Sequence, residues 1–193
     1  MTEDAAGQYA ERFDLGLDWS VGAPVPQMVT FRRSAFIVVY TQEPDPDPGD
    51  PGLRVLNADD EHAALLGVIH LHGAYAIKIG GPNEEAIHGH PLSGKGLDWM
   101  GNYRVRNSEW ITEAQRINSV HPYHRGGWHD RLTHYIFAFH DETLECLVKG
   151  ISIERYLGTP DEVLIDLIRR KEEPPEHGDD EGEFDVDEMF RVP

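Results

Sequence analysis

The stretch LTHYIFAFHDETLECLVKG, residues 132–150, predicts the fold, because it contains two short apolar strands on either side of a polar bend. We place the bend at Asp141-Glu142, which pairs Phe139 with Leu144 and makes one face of the hairpin apolar throughout. An apolar face of this kind is buried against a second layer of structure. The hairpin therefore predicts an antiparallel sheet at the centre of the fold.

The opposite face of the hairpin carries titratable side chains. In the predicted register His140 and Glu145 are diagonal neighbours on adjacent strands, and His134 lies on the same face. A carboxylate that hydrogen-bonds an imidazole fixes its tautomer and raises its basicity, so the pair suits a general base. The sequence predicts His140, Glu145 and His134 as catalytic candidates, and the alternative is a solvated or purely structural sheet face. Cys146 points toward the apolar side, which argues against a nucleophilic role.

Strand and helix patterns follow one another along the rest of the chain. Apolar runs rich in β-branched residues predict strands, and Gly73 marks a bend in a meander of antiparallel strands. Apolar residues at helical spacing predict helices, two of them behind capping residues. The predicted strands are 34–41, 53–57, 63–73, 74–81, 103–106 and 151–157, and the predicted helices are 4–17, 108–118 and 159–171. The order predicts an α+β domain, in which an antiparallel sheet of meander and hairpins packs with two or three helices and long His/Gly-rich loops.

The charge of the chain limits its partners. Its 193 residues include 17 basic and 35 acidic side chains, which give a net charge of −18. Such a field repels phosphate backbones and anionic lipids, so neither nucleic acid nor membrane is expected as a partner. The length predicts a single domain over residues 1–171, with an exposed Pro/Asp loop at 43–52. Residues 172–193 are acidic, and we expect a disordered tail that could dock on a protein partner.

The single cysteine, Cys146, excludes an internal disulfide. The amino terminus is acidic where a secretion signal is basic and then apolar. The longest apolar run, Ala63–Ile69, is far shorter than a membrane span. These features predict a cytoplasmic protein.

Histidines are concentrated in two loops. His88 and His90 lie in a long glycine-rich loop, and His121 and His124 lie in a second loop after the predicted helix 108–118. If the loops converge, these imidazoles could hold a divalent metal such as zinc or iron, with an open position for water. Loop histidines also serve as caps and as hydrogen-bonding turn residues, so both interpretations stay open.

Aromatic and basic residues accompany these histidines, and such side chains line small-molecule pockets. Tryptophans lie in both loops, 80–102 and 119–131, and guanidinium groups nearby are candidate anchors for an anionic group. The predicted ligand-binding residues are Trp99, Arg104, Arg106, Trp128 and Arg131.

The segment GHPLSGKG, residues 89–96, nearly matches the phosphate-binding pattern G-x-x-x-x-G-K-[ST]. Gly96 stands where the pattern needs a magnesium-binding hydroxyl, and the preceding PNEEAIH is not a buried strand. No nucleotide is therefore expected. The chain also lacks G-x-S-x-G, G-x-G-x-x-G and H-E-x-x-H, the local signatures of hydrolases, dinucleotide binders and zinc proteases.

Four segments taken together, GHPLSGKGL, VRNSEWITE, VHPYH and HYIFAFHDETLEC, resemble a pattern found in uncharacterised bacterial proteins. The resemblance covers about residues 89–146. It implies no activity, cofactor or residue role for this chain.

The sequence supports three hypotheses about function. The first is a small-ligand-binding domain, whose cleft lined by His, Trp and Arg lies between loops 80–102 and 119–131, above the polar face of the hairpin. The second is an enzyme at the same cleft, either metal-dependent or with His140 and Glu145 as acid and base. The third is an acidic accessory or immunity-like module that binds another protein through its acidic surface and tail.

Overall fold

The computed structural model describes residues 7–20, 24–42 and 64–172. These residues form nine strands, two α-helices and two short 3-10 helices at Ile87–Gly89 and Trp128–Arg131. In chain order the main elements are β1 (Tyr9–Arg12), β2 (Gln27–Phe31), β3 (Ser34–Tyr40), β4 (Ala64–His72), β5 (Ala76–Gly80), β6 (Gly101–Arg106), α1 (Glu109–Asn118), β7 (Thr133–Ala138), β8 (Thr143–Val148), β9 (Gly150–Gly158) and α2 (Pro160–Glu172). The predicted loop 43–52, the predicted strand 53–57 and residues 173–193 of the predicted tail lie outside the described residues.

The strands form two antiparallel sheets that pack face to face. Sheet I has five strands in the order β1-β6-β7-β8-β5, and sheet II has four strands in the order β2-β3-β4-β9. Buried apolar side chains from both sheets fill the layer between them, among them Ile37, Ile69, Phe137 and Leu144. We call the faces that meet in this layer the inner faces. The predicted α+β fold built on antiparallel sheet is confirmed.

The predicted meander through Gly73 is wrong, because the strands on its two sides belong to different sheets. β4 pairs with β3 and β9 in sheet II, whereas β5 pairs with β8 in sheet I. β4 is buried on both faces, so it fits the middle of a layered structure. Gly73 has a φ of +58°, and a Cβ there would lie 2.7 Å from the Lys149 side chain. The chain crosses from sheet II to sheet I at a position that needs glycine.

The predicted helix over residues 4–17 is wrong in the part that the structure describes. Tyr9–Arg12 form β1, which pairs with β6 at the edge of sheet I. Ala10 packs on the outer face of that sheet, and Leu15 and Leu17 enter the layer between the sheets. Pairing with the open edge of β6 outweighs the weak helical preference of this segment, which rests on a few apolar residues at helical spacing.

The β7–β8 hairpin forms as predicted, but its turn lies one residue earlier than expected. The turn is at His140-Asp141, closed by a 2.9 Å hydrogen bond from the Phe139 N–H to the Glu142 carbonyl. Glu145 therefore lies opposite Ile136. Because the pairing shifts by an even number of residues, the two faces keep their predicted composition while the diagonal neighbours change.

Both capped helices are confirmed. α1 begins after Ser108, whose Oγ accepts a hydrogen bond from the Ile111 N–H. α2 begins with the predicted capping box, in which Thr159 and Glu162 each donate a backbone N–H to the other's side chain. Buried apolar side chains of α2 pack on the outer face of sheet II. No helix within the described ranges is both long enough and apolar enough to cross a membrane.

The outer face of sheet I is covered by the segment 81–100. A second apolar cluster forms where the segment meets the sheet, and it consists of Ala10, Ile87, Leu92, Leu97, Tyr103, Val105, Ile136 and Ala138. The segment lies so close to β1 that a Cβ at Gly96 would be 2.1 Å from the Ala10 carbonyl oxygen. The polar face of the hairpin is therefore largely enclosed.

Candidate functional site

Polar side chains on the outer face of sheet I converge on Glu145, in the middle of β8. The register puts Lys78 of β5 directly opposite Glu145, and it puts His134 of β7 diagonal to it. Ser108, ahead of α1, and His90, in the covering segment, reach the same point from above the sheet. We call these five side chains the polar centre.

His134 is the most deeply buried member of the polar centre, with 3% of its surface exposed. Its Nε2 lies 3.0 Å from Glu145 Oε2, and its Nδ1 lies 2.9 Å from Ser108 Oγ. A carboxylate only accepts hydrogen bonds, so Nε2 carries the hydrogen, and Nδ1 of the neutral ring accepts from the serine hydroxyl. Trp110 packs edge-on against the imidazole, with 5.2 Å between ring centroids. The orientation and the tautomer of His134 are thus both fixed.

Ser108 connects the polar centre to α1. Its Oγ accepts the Ile111 N–H at 3.2 Å and so caps the helix, while its hydroxyl hydrogen is directed to His134. The residue is 6% exposed. One buried hydroxyl therefore fixes the start of α1 and completes the hydrogen bonding of the imidazole.

The second carboxylate oxygen of Glu145, Oε1, faces two donors at longer range. Lys78 Nζ is 3.8 Å away and His90 Nε2 is 3.7 Å away. Both distances exceed the ~2.7–3.2 Å of a direct N–H···O hydrogen bond. His90 Nδ1 accepts the Leu92 N–H at 3.1 Å, so the hydrogen of the neutral ring is on Nε2 and faces the carboxylate.

The surroundings of Glu145 keep it ionised. Burial raises the pKa of the carboxyl, but the hydrogen bond from His134, the nearby His90 N–H and the Lys78 ammonium outweigh it. The pKa of Glu145 is therefore held well below its ordinary value of 4.5. Lys78 is the accessible member, with 56% of its side chain exposed and Nζ 3.7 Å above the centre of the Trp110 ring.

The structure brings two of the three predicted catalytic residues together. His134 takes the place beside Glu145 that the sequence assigned to His140, and the predicted His140–Glu145 pairing is wrong because the turn lies one residue earlier. His140 lies at the turn, with Nδ1 2.9 Å from Asp141 Oδ1 and Nε2 3.1 Å from Glu84 Oε1. The hydrogen bond with Asp141 raises the pKa of His140 above its ordinary 6.5; partial burial opposes this shift and Glu84 reinforces it.

The four histidines predicted as metal ligands are not brought together as a ligand set. Over residues 7–20, 24–42 and 64–172, no group of three or more His, Cys, Asp or Glu side chains is arranged to hold a metal ion. His90 belongs to the polar centre, and His88 is exposed. The remaining two, His121 and His124, lie in the loop after α1, where a backbone N–H donates to His121 Nδ1 at 3.2 Å as in a turn.

The two predicted tryptophans, Trp99 and Trp128, belong to different segments of the chain beside sheet I. Trp99 is 51% exposed at the end of the covering segment. Trp128 packs against Tyr75, ahead of β5, with 4.9 Å between ring centroids. The loop 80–102 thus contacts the outer face of sheet I, while the loop 119–131 packs beside the start of β5.

Two of the predicted arginines, Arg104 and Arg106, point away from the polar centre, because alternate residues of a strand face opposite sides. The Arg104 guanidinium lies near the rings of Phe13 and Tyr135, at 5.7 and 5.5 Å from their centroids. Arg106 pairs with Glu11 at 2.7 Å and so ties β6 to β1. Arg131 is exposed at the end of the loop 119–131.

Two members of the polar centre, Lys78 and Ser108, were not predicted as site residues. Lys78 did give a signal, since it is a charge between Ile77 and Ile79 in a strand that is otherwise apolar or small. Ser108 gave only the signal of a helix cap, because its contact with His134 joins residues 26 positions apart. No family model, no curated protein and no solved structure matches the chain. Its function is therefore argued from the polar centre.

Proposed function

We propose that the protein binds a small hydroxyl-bearing molecule at the polar centre. The observation that carries the proposal is the position of Glu145 Oε1, with Lys78 Nζ at 3.8 Å and His90 Nε2 at 3.7 Å. Polar groups more than about 3.5 Å apart make no direct hydrogen bond, and a water or a ligand atom can bridge them.

The chemistry of the three groups selects the ligand class. Glu145 offers an acceptor, while Lys78 and His90 each offer a donor. A hydroxyl group has one hydrogen to donate and two lone pairs to accept with, so it matches all three groups at once. A carboxylate or phosphate would meet the ionised Glu145 and is disfavoured. Polyols and sugars are therefore the ligand class that this arrangement fits.

Burial assigns different roles to the two histidines. His134 is 3% exposed and has both ring nitrogens engaged, so it acts as a positioning residue that holds the carboxylate. Lys78, with 56% of its side chain exposed, marks the side from which a ligand approaches. Contact with the ligand then falls to Lys78, His90 and Oε1 of Glu145.

Nuclear magnetic resonance tests the proposal with a panel of simple polyols and sugars. Isotope-labelled protein is titrated with glycerol, myo-inositol, glucose and ribose, while the signals of the His90 imidazole and the Trp110 indole are followed. We expect saturable shifts with at least one compound, and an affinity lower by about tenfold in Glu145→Gln, which corresponds to one net hydrogen bond. We expect the same loss in Lys78→Met, which removes a donor to the ligand hydroxyl, and Lys95→Met, at an exposed lysine of the covering segment, is its matched control. Absence of any saturable shift, or equal affinity in Glu145→Gln, would overturn the proposal.

An acid–base enzyme at the same place is the second candidate, and the chain of hydrogen bonds from Glu145 through His134 to Ser108 favours it. The carboxylate orients the imidazole, whose Nδ1 accepts from the serine hydroxyl. In this arrangement His134 can take the proton of Ser108 when the oxygen attacks an electrophile.

A fluorophosphonate probe distinguishes this candidate from ligand binding alone. Attack by Ser108 forms an Oγ–P bond and expels fluoride, while the serine proton passes to His134 Nδ1. An enzyme of this kind gains the mass of the probe less that of hydrogen fluoride at Ser108, and His134→Gln abolishes the labelling. If the native protein binds polyols but is not labelled, the result supports the ligand-binding proposal and contradicts the enzyme.

We also propose that the protein is cytoplasmic and that its partner is a small molecule, the ligand of the polar centre. The lone cysteine, Cys146, is buried and unpaired, which suits a reducing compartment. Fractionation of the source cells checks the location.

A further inference from the structure

Arg104 of β6 is a positive charge at the margin of the apolar layer between the two sheets. It lies directly opposite Tyr135, a member of that layer, so its side chain extends over the inner face of sheet I. The guanidinium is 5.7 Å from the ring centroid of Phe13 and 5.5 Å from that of Tyr135. Arg104 is partly exposed, so a small molecule can reach it from solvent. The polar centre lies on the other face of the same sheet.

Arg104 has no carboxylate partner among the residues that the structure describes. Glu11 of β1 lies opposite Arg104 in the sheet, but its Oε2 is bound by Arg106, whose Nε and Nη2 are both 2.7 Å away. Asp14, which follows β1, accepts the Gly16 N–H at 2.7 Å. Two guanidinium groups thus share one carboxylate on this face, and the positive charge of Arg104 is left without a counter-ion.

Hydrogen-bond donors around Arg104 outnumber the acceptors that they meet. Within the described ranges the guanidinium makes one hydrogen bond, from Nη2 to the Tyr135 hydroxyl at 3.5 Å, which is longer than the usual N–H···O distance. Arg104 Nε is enclosed and has no hydrogen-bond partner there. Asn102, on the same face of β6, is 8% exposed, and its enclosed Oδ1 also has no partner. A guanidinium and an amide are thus both available to a ligand.

A charge in this position calls for an anion. Removing a guanidinium from water costs free energy unless an opposite charge and hydrogen-bond acceptors compensate for it. A carboxylate has only acceptor oxygens, and two of them match the planar fork of a guanidinium. A phosphate carries more charge than one guanidinium neutralises, and the net charge of −18 on the chain opposes it further.

We propose that Arg104 anchors the carboxylate of a small organic acid that has an apolar body. The guanidinium holds the carboxylate, and the side-chain NH₂ of Asn102 is a second donor to it. The ring of Phe13, partly buried at the margin of the apolar layer, packs against the apolar body. This site is separate from the polar centre, whose ionised Glu145 disfavours a carboxylate.

Nuclear magnetic resonance of the isotope-labelled full chain tests the site directly, with 3-phenylpropanoate as the probe. The signals to follow are the Arg104 Nε–H and the side-chain amide of Asn102. We expect saturable shifts of both signals. The uncharged 3-phenylpropanamide has nearly the same shape and should bind at least tenfold more weakly, because it lacks the charge that pairs with the guanidinium.

Substitutions of Arg104 separate the charge of the side chain from its shape. Arg104→Gln should lower the affinity for 3-phenylpropanoate by tenfold or more, with the Asn102 amide as the reporter. Arg104→Lys keeps the charge but loses the planar fork, so it should lower the affinity by a smaller factor. Arg169→Gln, at an exposed position of α2, makes the same change in net charge and should bind as the wild type does.

Glu11→Gln should change the affinity in the opposite direction. It removes the carboxylate on this face and leaves the Arg106 guanidinium without its partner. We therefore expect 3-phenylpropanoate to bind about twofold to fivefold more tightly, the size of effect that one partly exposed charge produces. A purely structural role of Arg104 would not cause this increase.

Four results would contradict the proposal. They are the absence of saturable shifts at tens of millimolar 3-phenylpropanoate, equal binding of the amide, equal affinity in Arg104→Gln and the wild type, and tighter binding of inorganic phosphate than of 3-phenylpropanoate. Far-ultraviolet circular dichroism checks the fold of each variant. If Arg104→Gln does not fold, unchanged affinity in both Arg104→Lys and Glu11→Gln would contradict the proposal in its place.

Discussion

The two faces of the β7–β8 hairpin are both buried, but they are stabilised in different ways. The inner face presents Phe137, Leu144 and Cys146, each with no measurable exposure, to the apolar layer between the sheets. The outer face presents His134 and Glu145, which are covered by α1 and the segment 81–100. Burial of apolar area stabilises by an amount that depends little on pH, whereas a buried carboxylate stabilises only while it is ionised and its hydrogen-bond donor is present.

The largest expected effect is on the inner face. Phe137→Ala removes a fully buried ring and leaves a cavity, and we expect it to lower the free energy of unfolding by about 3–5 kcal/mol. Urea denaturation followed by tryptophan fluorescence measures the change. Leu157→Ala, at an exposed position, should stay within about 0.5 kcal/mol of the parent. A loss below about 1 kcal/mol for Phe137→Ala would show that the two sheets do not depend on this layer.

A smaller effect is expected when the outer face loses one partner. His134→Leu keeps an apolar filling but leaves Glu145 without its 3.0 Å donor, and we expect a loss of about 2–4 kcal/mol. The double variant with Glu145→Leu should recover about 1 kcal/mol or more, since it removes the uncompensated charge. Additive losses in this double-mutant cycle would contradict the pairing of the two residues.

The pH dependence of stability sharpens the comparison further. The folded pKa of Glu145 is lowered, so its contribution is fully present above the ordinary 4.5 and is lost as pH falls below that value toward the lowered pKa. We expect the stability advantage of the wild type over Glu145→Gln to shrink between pH 6 and pH 3. Phe137→Ala, as the inner-face control, should differ from the wild type by the same amount at both pH values. A constant difference for Glu145→Gln would contradict the lowered pKa.

The sequence predicts which side chains lie on each face of the hairpin, but it does not predict which of them contact one another. Alternation along the hairpin predicts the inner core correctly, because a register error of two residues leaves each side chain on its face. The same error exchanges diagonal neighbours, so the partner of Glu145 was predicted as His140 when it is His134. Moving the turn by one residue changes the partner of Glu145. The sequence does not distinguish the two positions, because His140-Asp141 and Asp141-Glu142 are both polar pairs that suit a bend.

Other errors arose where the contact is far away in the chain. Ser108 was predicted as a cap and is one, but its bond to His134 requires the position of α1 over sheet I, which no local pattern specifies. The strand character of Tyr9–Arg12 depends likewise on the free edge of β6, far later in the chain. Local capping and alternation were predictable, whereas docking of the covering elements was not.

The smallest expected effect is at the turn of the hairpin, where His140 joins Glu84 to Asp141. The pKa of His140 is raised, so the charged ring stabilises the fold below the ordinary 6.5, and this contribution is lost as pH rises through the raised pKa. We expect His140→Asn to be less stable than the wild type at pH 5.5 and nearly equal at pH 8.5. Because these carboxylates are partly exposed, the difference should stay below about 1 kcal/mol.

Glu84→Gln should reduce the same pH dependence, since it removes the carboxylate 3.1 Å from His140 Nε2 while leaving the backbone hydrogen bond from the Glu84 N–H to the His140 carbonyl. If the stability difference at the turn were the same at these two pH values, the covering segment would be held by its apolar contacts and its backbone hydrogen bonds, and ionic contacts on the outer face would be confined to the polar centre.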